Sequence, residues 1–176
     1  MMQSDLLPYT ALGDELSAIL TGHTHFSQLD PDTPGLPASL SRNVVTRLLR
    51  DQLGYNGVVM TDDLDMGAII NTYGRGTDVK MAIQAGNDMA MICHQTDTAE
   101  QALASLKELS FYAIEDSLKR IRKLKKKLPK TIAFSRDRWD KLNDEIMELR
   151  IEALGEDAAM NQSDSVSNSR SPVEDY

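Results

Sequence analysis

The sequence predicts an α/β fold with a parallel β-sheet, and two patterns along the chain indicate it. Short apolar runs alternate with stretches in which apolar residues recur at helical spacing. The short runs also lack the polar–apolar alternation of a strand that has one solvent-exposed face. Together these patterns are typical of βαβ units, in which helices cover a parallel sheet on both faces.

The first two predicted strands are separated by a loop and a helix. SAILTG (residues 17–22) is an apolar run too short for an independent helix, so it predicts a buried strand. Residues 28–39 are rich in proline and aspartate and predict a long ordered loop. Ser41 is a candidate N-cap for an amphipathic helix that Gly54 ends. GVVMT (residues 57–61) is apolar and β-branched, and it predicts the second strand.

A second helix and a third strand follow. The polar, glycine-containing segment 71–77 leads to a predicted helix from about Asp78 to Ala85. The turn around Arg75 lacks the lysine and the spacing of a phosphate-binding loop. DMAMIC (residues 88–93) predicts the third buried strand, in which Cys93 is interpreted as a small hydrophobe.

Beyond the third strand the sequence predicts helices at about residues 98–109, 113–128 and 134–154, and then a disordered tail rich in Ser, Asn and Asp. The apolar face of the last helix is predicted to comprise Trp139, Leu142, Ile146, Leu149 and Leu154. Eight Lys or Arg residues and no acid occur from Lys119 to Lys130. We interpret this run as a solvated helix face, with binding to an acidic partner or to nucleic acid as the alternative.

Composition restricts the classes of partner. A chain of 176 residues with 41% hydrophobic residues is long enough for one ordinary core. Its net charge of −8 argues against nucleic acid or an anionic membrane as a partner, because such binding needs a basic surface. The N-terminus lacks the pattern of a secretory signal and no stretch is apolar enough to span a membrane, so we predict a cytoplasmic location.

Polar side chains follow each predicted strand: His23 and His25, then Asp62 and Asp63, then His94. Because active sites of parallel α/β folds lie at the carboxyl ends of strands, these are the candidate functional residues. A carboxylate directly after a strand can be a nucleophile, a metal ligand or a helix cap, and spacing alone leaves these alternatives open. The His-Thr-His pattern also allows a metal pair, although that signal is weak.

One long segment resembles the nucleophile region of family 3 glycoside hydrolases, in its β-N-acetylhexosaminidase branch. The similar motifs are the Pro-Ala-Ser-Leu loop (Pro37 to Leu40), Leu-Leu-Arg (Leu48 to Arg50), LGYNGVV (Leu53 to Val59) and TDDLDM (Thr61 to Met66). The Thr-Asp-Asp-Leu form is the one that resembles that branch, because Ser-Asp-Trp is typical of the β-glucosidases of the family.

The resemblance extends to about residues 5–128. DLLPY (residues 5–9) resembles the helix before the preceding strand of the family, and ILTGH (residues 19–23) resembles the end of that strand. Downstream, residues 82–93 and 117–128 are similar to the next strand and to a later helix.

The resemblance implies a partial (β/α)8 barrel. About its last three β/α units would occupy residues 1–130, followed by a helical extension at residues 131–156 and the disordered tail at residues 157–176. The barrel would then lack its first strands and carry an open sheet edge through which copies can associate. It also implies a carbohydrate substrate that contains β-linked N-acetylglucosamine, with no cofactor and no metal ion.

The same resemblance assigns roles to single residues. Asp62 corresponds to the catalytic nucleophile of a retaining mechanism, and His23, Asp63 and Met66 to residues that bind substrate or support the site. In the branch that this chain resembles, an Asp-Ser-His element acts as the general acid/base, and no Asp-Ser-His occurs in this sequence. We therefore expect weak activity or none from the chain alone. The alternative is a non-catalytic barrel remnant that binds sugar or another protein.

Overall fold

The computed structural model describes residues 4–160, which fall into two compact units, residues 4–128 and residues 129–160. The first unit contains, in chain order, helix α1 (Leu7–Ala11), strand β1 (Ala18–Thr21), a 3-10 turn (Ala38–Leu40), a π-helix (Asn43–Gln52), β2 (Val58–Asp63), α2 (Gly67–Tyr73), α3 (Thr77–Ala85), β3 (Met89–Met91), a second 3-10 turn (Thr96–Thr98), α4 (Ala99–Leu106) and α5 (Phe111–Lys125).

The three strands form one parallel sheet in the order β1-β2-β3. Strands β1 and β2 pair from Ala18 opposite Val58 to Thr21 opposite Thr61. Strands β2 and β3 pair at Met60 opposite Met89, and a register shift follows before the next pair. The predicted α/β fold with a parallel sheet is therefore confirmed, and the carboxyl ends of all three strands lie on the same side of the sheet.

The two faces of the sheet have different surroundings. One face packs into a helix-covered core that consists of Ile19, Val45, Leu49, Tyr55, Val59 and Ala85. Successive side chains of a strand point to opposite faces, so Leu20 lies on the other face together with its registered neighbour Met60 and with Met89. On that face Leu20 is 51% exposed and Met89 is 38% exposed. The sheet is thus covered on one side and presents apolar side chains on the other.

The helix between β1 and β2 is a π-helix, whereas the apolar spacing of its sequence predicts an ordinary amphipathic helix. Leu53 N donates to Leu48 O, five residues earlier, at 2.9 Å. Thr46 Oγ1 donates to Ala85 O at 2.6 Å, which brings this π-helix against the end of α3. Gly86 has a φ of +114°, and a Cβ there would lie 2.6 Å from Thr46 Oγ1. The close approach of the two helices therefore requires glycine at that position.

The short helix α2 was not predicted from the sequence. It starts with glycine and contains three β-branched residues, which are poor helix formers. Its side chain Ile69 is fully buried, in a second core with Leu40, Leu64, Val79, Ala82 and Ala102. Tertiary packing therefore stabilises a helix that local propensity does not favour.

A buried carboxylate organises the amino-terminal side of the sheet. Asp88 precedes β3, and its side chain is fully buried. Arg50 Nη2 donates to Asp88 Oδ2 at 2.8 Å, and Arg120 donates to both Asp88 oxygens at distances of 2.8 to 3.1 Å. Val59 N also donates to Asp88 Oδ2. Arg120 is thus an exception to the predicted solvated face of α5, because it pairs with this carboxylate.

The second unit contains α6 (Arg136–Leu154) and α7 (Glu156–Met160). Ser135 caps α6 by accepting a hydrogen bond from Arg138 N at 3.3 Å. The helix confirms the predicted helical pattern, but the five residues of its predicted apolar face are all exposed.

Helix α7 runs into the predicted tail as far as residue 160, and residues 161–176 of that tail lie outside the described residues. Within residues 4–160, no helix has the length and apolar character needed to cross a membrane.

Candidate functional site

The residues that the sequence singles out lie beyond or at the carboxyl ends of the three strands. His23 follows β1, Asp62 and Asp63 are the last two residues of β2, and His94 follows β3. Because Thr21 pairs with Thr61 and Asp63 pairs with Met91, these strand ends lie at one edge of the sheet. Parallel α/β folds place their active sites at this edge.

Asp62 is the next-to-last residue of β2 and lies in the stretch where the pairing of β2 with β3 shifts register. Its side chain is partly exposed, and its Oδ1 accepts a hydrogen bond from Asp63 N at 2.8 Å. Among residues 4–160 no donor reaches Asp62 Oδ2. One carboxylate oxygen is thus held by the backbone, and the other is available to a ligand.

The neighbouring residue Asp63 is buried. Its Oδ1 accepts hydrogen bonds from Asp65 N at 3.0 Å and from Cys93 N at 3.1 Å. Its Oδ2 lies 3.7 Å from His94 Nε2. The carboxylate therefore ties the segment after β2 to the segment after β3.

Both ring nitrogens of His23 have partners. Nε2 lies 2.8 Å from Asp63 O and Nδ1 lies 2.7 Å from Ser39 Oγ. A carbonyl oxygen only accepts, so Nε2 carries a proton and donates it to Asp63 O. Nδ1 and the Ser39 hydroxyl share the second hydrogen bond. His23 thereby joins the end of β1 to the end of β2 and to the 3-10 turn Ala38–Leu40.

Met66 precedes the first residue of α2 and is partly exposed. Its carbonyl accepts hydrogen bonds from Ile69 N at 2.8 Å and from Ile70 N at 3.1 Å. The backbone of Met66 therefore starts the helix that closes the segment after Asp62.

A buried ion-pair network near the carboxyl ends of the strands was not predicted from the sequence. The Arg75 side chain lies between Asp65 and Asp78, and all three side chains are at least 97% buried. Arg75 Nη2 donates to Asp65 Oδ1, Arg75 Nη1 donates to Asp78 Oδ2 at 2.6 Å, and Arg75 Nε donates to Thr98 Oγ1 at 2.9 Å. The turn predicted around Arg75 therefore holds the cation of this network, which no local pattern indicates.

The network anchors the segment after β3. Asp65 Oδ2 accepts hydrogen bonds from His94 N and Gln95 N, each at 2.8 Å. Burial acts to raise the pKa of Asp65, but the hydrogen bonds from Gln95 and His94 and the Arg75 guanidinium outweigh it, so this pKa lies below its ordinary value. Asp65 is therefore charged at neutral pH, and this charge holds the two segments together.

Cys93 differs from its predicted place in a buried strand, because the residue is exposed just beyond the end of β3. Desolvation, with a smaller contribution from the Asp63 carboxylate, raises the pKa of its thiol above the ordinary value. The thiol is therefore protonated at neutral pH, which is unsuitable for a nucleophile.

The His-Thr-His pattern does not form a metal pair. His25 Nδ1 donates to Leu36 O at 3.0 Å, and both nitrogens of His23 are engaged as described above. Within the described part of the chain, no three His, Cys, Asp or Glu side chains come together as a group able to hold a metal ion.

Comparison with known proteins gives a consistent set of relatives. Residues 1–124 match the family described as Glycosyl hydrolase family 3 N terminal domain. A beta-hexosaminidase from Pseudomonas aeruginosa (strain LESB58) is 35% identical over 107 residues, which cover 61% of this chain and 31% of that protein. A beta-hexosaminidase from Bordetella avium (strain 197N) is 34% identical over 143 residues, which cover 81% of this chain and 37% of that protein.

Among solved structures, a glycoside hydrolase family 3 beta-N-acetylglucosaminidase from Paenibacillus sp. str. FPU-7 is similar, with a TM-score of 0.67 and 32% identity. The match covers 81% of this chain and 30% of that chain. The chain thus spans about a third of the length of the curated relatives that it matches.

Proposed function

Because the chain belongs to glycosyl hydrolase family 3, through the N-terminal domain of that family, we propose that it acts as part of a retaining β-N-acetylhexosaminidase. The substrate of this proposal is a glycoside with a β-linked N-acetylglucosamine. The relatives named beta-hexosaminidase and beta-N-acetylglucosaminidase support the substrate class. We further propose that the three-stranded sheet corresponds to about the last three β/α units of a (β/α)8 barrel.

The position of Asp62 carries the proposal. A retaining glycosidase needs a carboxylate that attacks the anomeric carbon while the leaving oxygen is protonated. Asp62 offers a partly exposed carboxylate at the carboxyl end of β2, with Oδ1 held by Asp63 N and Oδ2 open. In the proposed step Oδ2 forms a bond to the anomeric carbon, and the bond to the leaving oxygen breaks. Water then opens the glycosyl ester, so that the configuration is retained.

The proton for the leaving oxygen has no assigned donor in this chain. The sequence contains no Asp-Ser-His. General acid–base assistance contributes typically about 10² to 10⁴-fold, so the chain alone should hydrolyse activated substrates far better than natural glycosides. A 4-nitrophenyl leaving group needs little protonation, which makes its glycoside the suitable substrate for the isolated chain.

In the proposed site, His23, Asp63 and Met66 support Asp62. His23 and Asp63 position the strand ends through the hydrogen bonds described above, and Met66 lies at the start of α2 beside them. Because the Asp63 carboxylate already accepts two backbone N–H groups, we assign it to positioning and not to attack.

The test is covalent trapping. The chain is incubated with 4-nitrophenyl N-acetyl-β-glucosaminide and with a 5-fluoro glycosyl fluoride of the same sugar, which slows hydrolysis of the covalent intermediate. We expect one glycosyl adduct by mass spectrometry, on the peptide that contains Asp62. Asp62→Asn should abolish both the adduct and nitrophenol release, while the matched change Asp51→Asn, at an exposed site on the π-helix, should affect neither.

A second arm adds an upstream polypeptide that carries Asp-Ser-His. Activity that appears only in the mixture and depends on Asp62 supports the proposal. No adduct and no hydrolysis in either arm would refute it. Sugar binding measured by calorimetry without turnover would favour the non-catalytic alternative.

A further inference from the structure

We propose that α6 forms a parallel two-stranded coiled coil with α6 of a second copy of this chain. The helix carries an apolar stripe made of Trp139, Leu142, Ile146 and Leu149, and all four side chains are exposed. Trp139 is 54% exposed and Leu149 is 64% exposed, although each carries a large apolar side chain. Contiguous exposed apolar surface of this kind marks an interaction site.

The spacing of the stripe selects the kind of partner. Its residues follow one another at intervals of three, four and three, which is the spacing of the a and d positions of a heptad. Trp139 and Ile146 occupy a positions, and Leu142 and Leu149 occupy d positions. Among parallel coiled coils, a β-branched residue at a, as Ile146 is here, with leucine at d favours two strands. The stripe therefore fits another helix with the same pattern, and a second copy supplies one.

The charges beside the stripe select the orientation. One flank, the e positions, holds Arg136, Asn143 and Arg150, and the other flank, the g positions, holds Arg138, Glu145 and Glu152. In a parallel pair each g position faces an e position of the partner helix, so Glu145 of each copy meets Arg150 of the other. In an antiparallel pair like flanks face each other, which places Glu145 opposite Glu145. The charge pattern is thus complementary only in the parallel arrangement at this central position.

The length of the helix sets the expected strength. The 19 residues of α6 span about 28 Å, and the stripe provides only four core positions per helix. Two heptads bury little apolar surface compared with longer coiled coils. We therefore expect a weak, reversible dimer whose dissociation constant is on the order of micromolar or higher. The proposal is independent of the proposed hydrolase activity.

The first experiment is sedimentation equilibrium of the full 176-residue chain over a range of concentrations. We expect a monomer–dimer equilibrium. Leu149→Asp should raise the dissociation constant by more than about tenfold, because both copies place a charge in the core of the coil. Leu154→Asp is the matched control. The sequence analysis assigned Leu154 to the same apolar face and it is 59% exposed, but it lies about 140° around the axis from Leu149 and outside the a and d positions. That variant should associate like the wild type.

A chain that stays monomeric at every concentration would overturn the proposal. Dimerisation that is equal in the wild type and both variants would also overturn it, because association would then use another surface, such as the open edge of the sheet. Circular dichroism of each variant checks that α6 remains folded.

The second experiment tests orientation by crosslinking. Cys93→Ser removes the single native cysteine, and Ile146→Cys places a thiol at a central a position. In a parallel coil the two introduced thiols face each other and form a disulfide in a glutathione redox buffer. Leu154→Cys in the same background should give far less crosslinked dimer. If the two variants crosslink equally, or if neither does while the protein is dimeric, the parallel arrangement is wrong.

Discussion

Arg75 offers the sharpest test of how the candidate site is held together. Its guanidinium is 97% buried between the fully buried carboxylates of Asp65 and Asp78. Arg75→Met keeps most of the side-chain volume but removes the positive charge, so it leaves two buried carboxylates without their partner. Breaking a buried ion pair in this way typically costs about 3 to 5 kcal/mol. For a chain of this size each kcal/mol corresponds to roughly 2 to 4 °C, so we expect Tm to fall by roughly 6 to 20 °C.

The assay combines thermal unfolding followed by circular dichroism with hydrogen exchange of the native protein. The backbone N–H groups of His94 and Gln95 donate to Asp65, so their exchange should accelerate in Arg75→Met. Arg122→Met, at an exposed position of α5, is the matched control and should change Tm little. A Tm within about 2 °C of the wild type, with unchanged exchange at His94 and Gln95, would refute the structural role of the network.

Two further predictions concern pH and backbone conformation. The folded pKa of Asp65 is depressed, so its stabilising contribution should be fully present above its unfolded pKa of about 4 and should be lost as the pH falls through the folded value. The Tm difference between the wild type and Asp65→Asn, measured from pH 7 down to pH 2, should therefore shrink on acidification. A Tm difference that stays constant over this range would contradict the prediction. Gly86→Ala should destabilise the fold by roughly 1 to 3 kcal/mol in urea unfolding, because the φ of +114° and the 2.6 Å approach to Thr46 Oγ1 both oppose a Cβ, whereas Gly22→Ala, which meets no atom within 4 Å, should have a much smaller effect.

Strands could be predicted from the sequence because their signal is local. The run GVVMT is apolar and β-branched, and it becomes β2 with Asp62 and Asp63 at its end. The helix α2 could not be predicted in the same way, since its glycine start and β-branched residues carry little helical propensity. It forms because Ile69 is buried against residues from distant parts of the chain. Propensity within a window contains no information about that packing.

Some residues of the candidate site could be predicted from the sequence, and others could not. Strand ends point to Asp62, Asp63 and His23 because the carboxyl edge of a parallel sheet is a general location for functional groups. The role of Arg75 depends on contacts with Asp65, ten residues before it, and with Thr98, twenty-three residues after it. Between glycines, an arginine has the local appearance of a solvent-exposed turn residue. Only the fold brings its partners together, so no spacing rule would have found this network.

The two adjacent aspartates at the end of β2 have different surroundings. Asp62 is partly exposed, whereas Asp63 is buried, and the Asp63 carboxylate accepts two backbone N–H groups while the Asp63 carbonyl accepts His23 Nε2. The residue next to the proposed nucleophile is thereby tied to the segments after β1 and β3. Since proposed attack by Asp62 requires a carboxylate held in a fixed position, weakening these ties should reduce turnover without removing the nucleophile. Asp63→Asn keeps the size of the side chain but weakens its acceptance of the two N–H groups. It should therefore clearly lower kcat of any activity that depends on Asp62, with only a small fall in Tm.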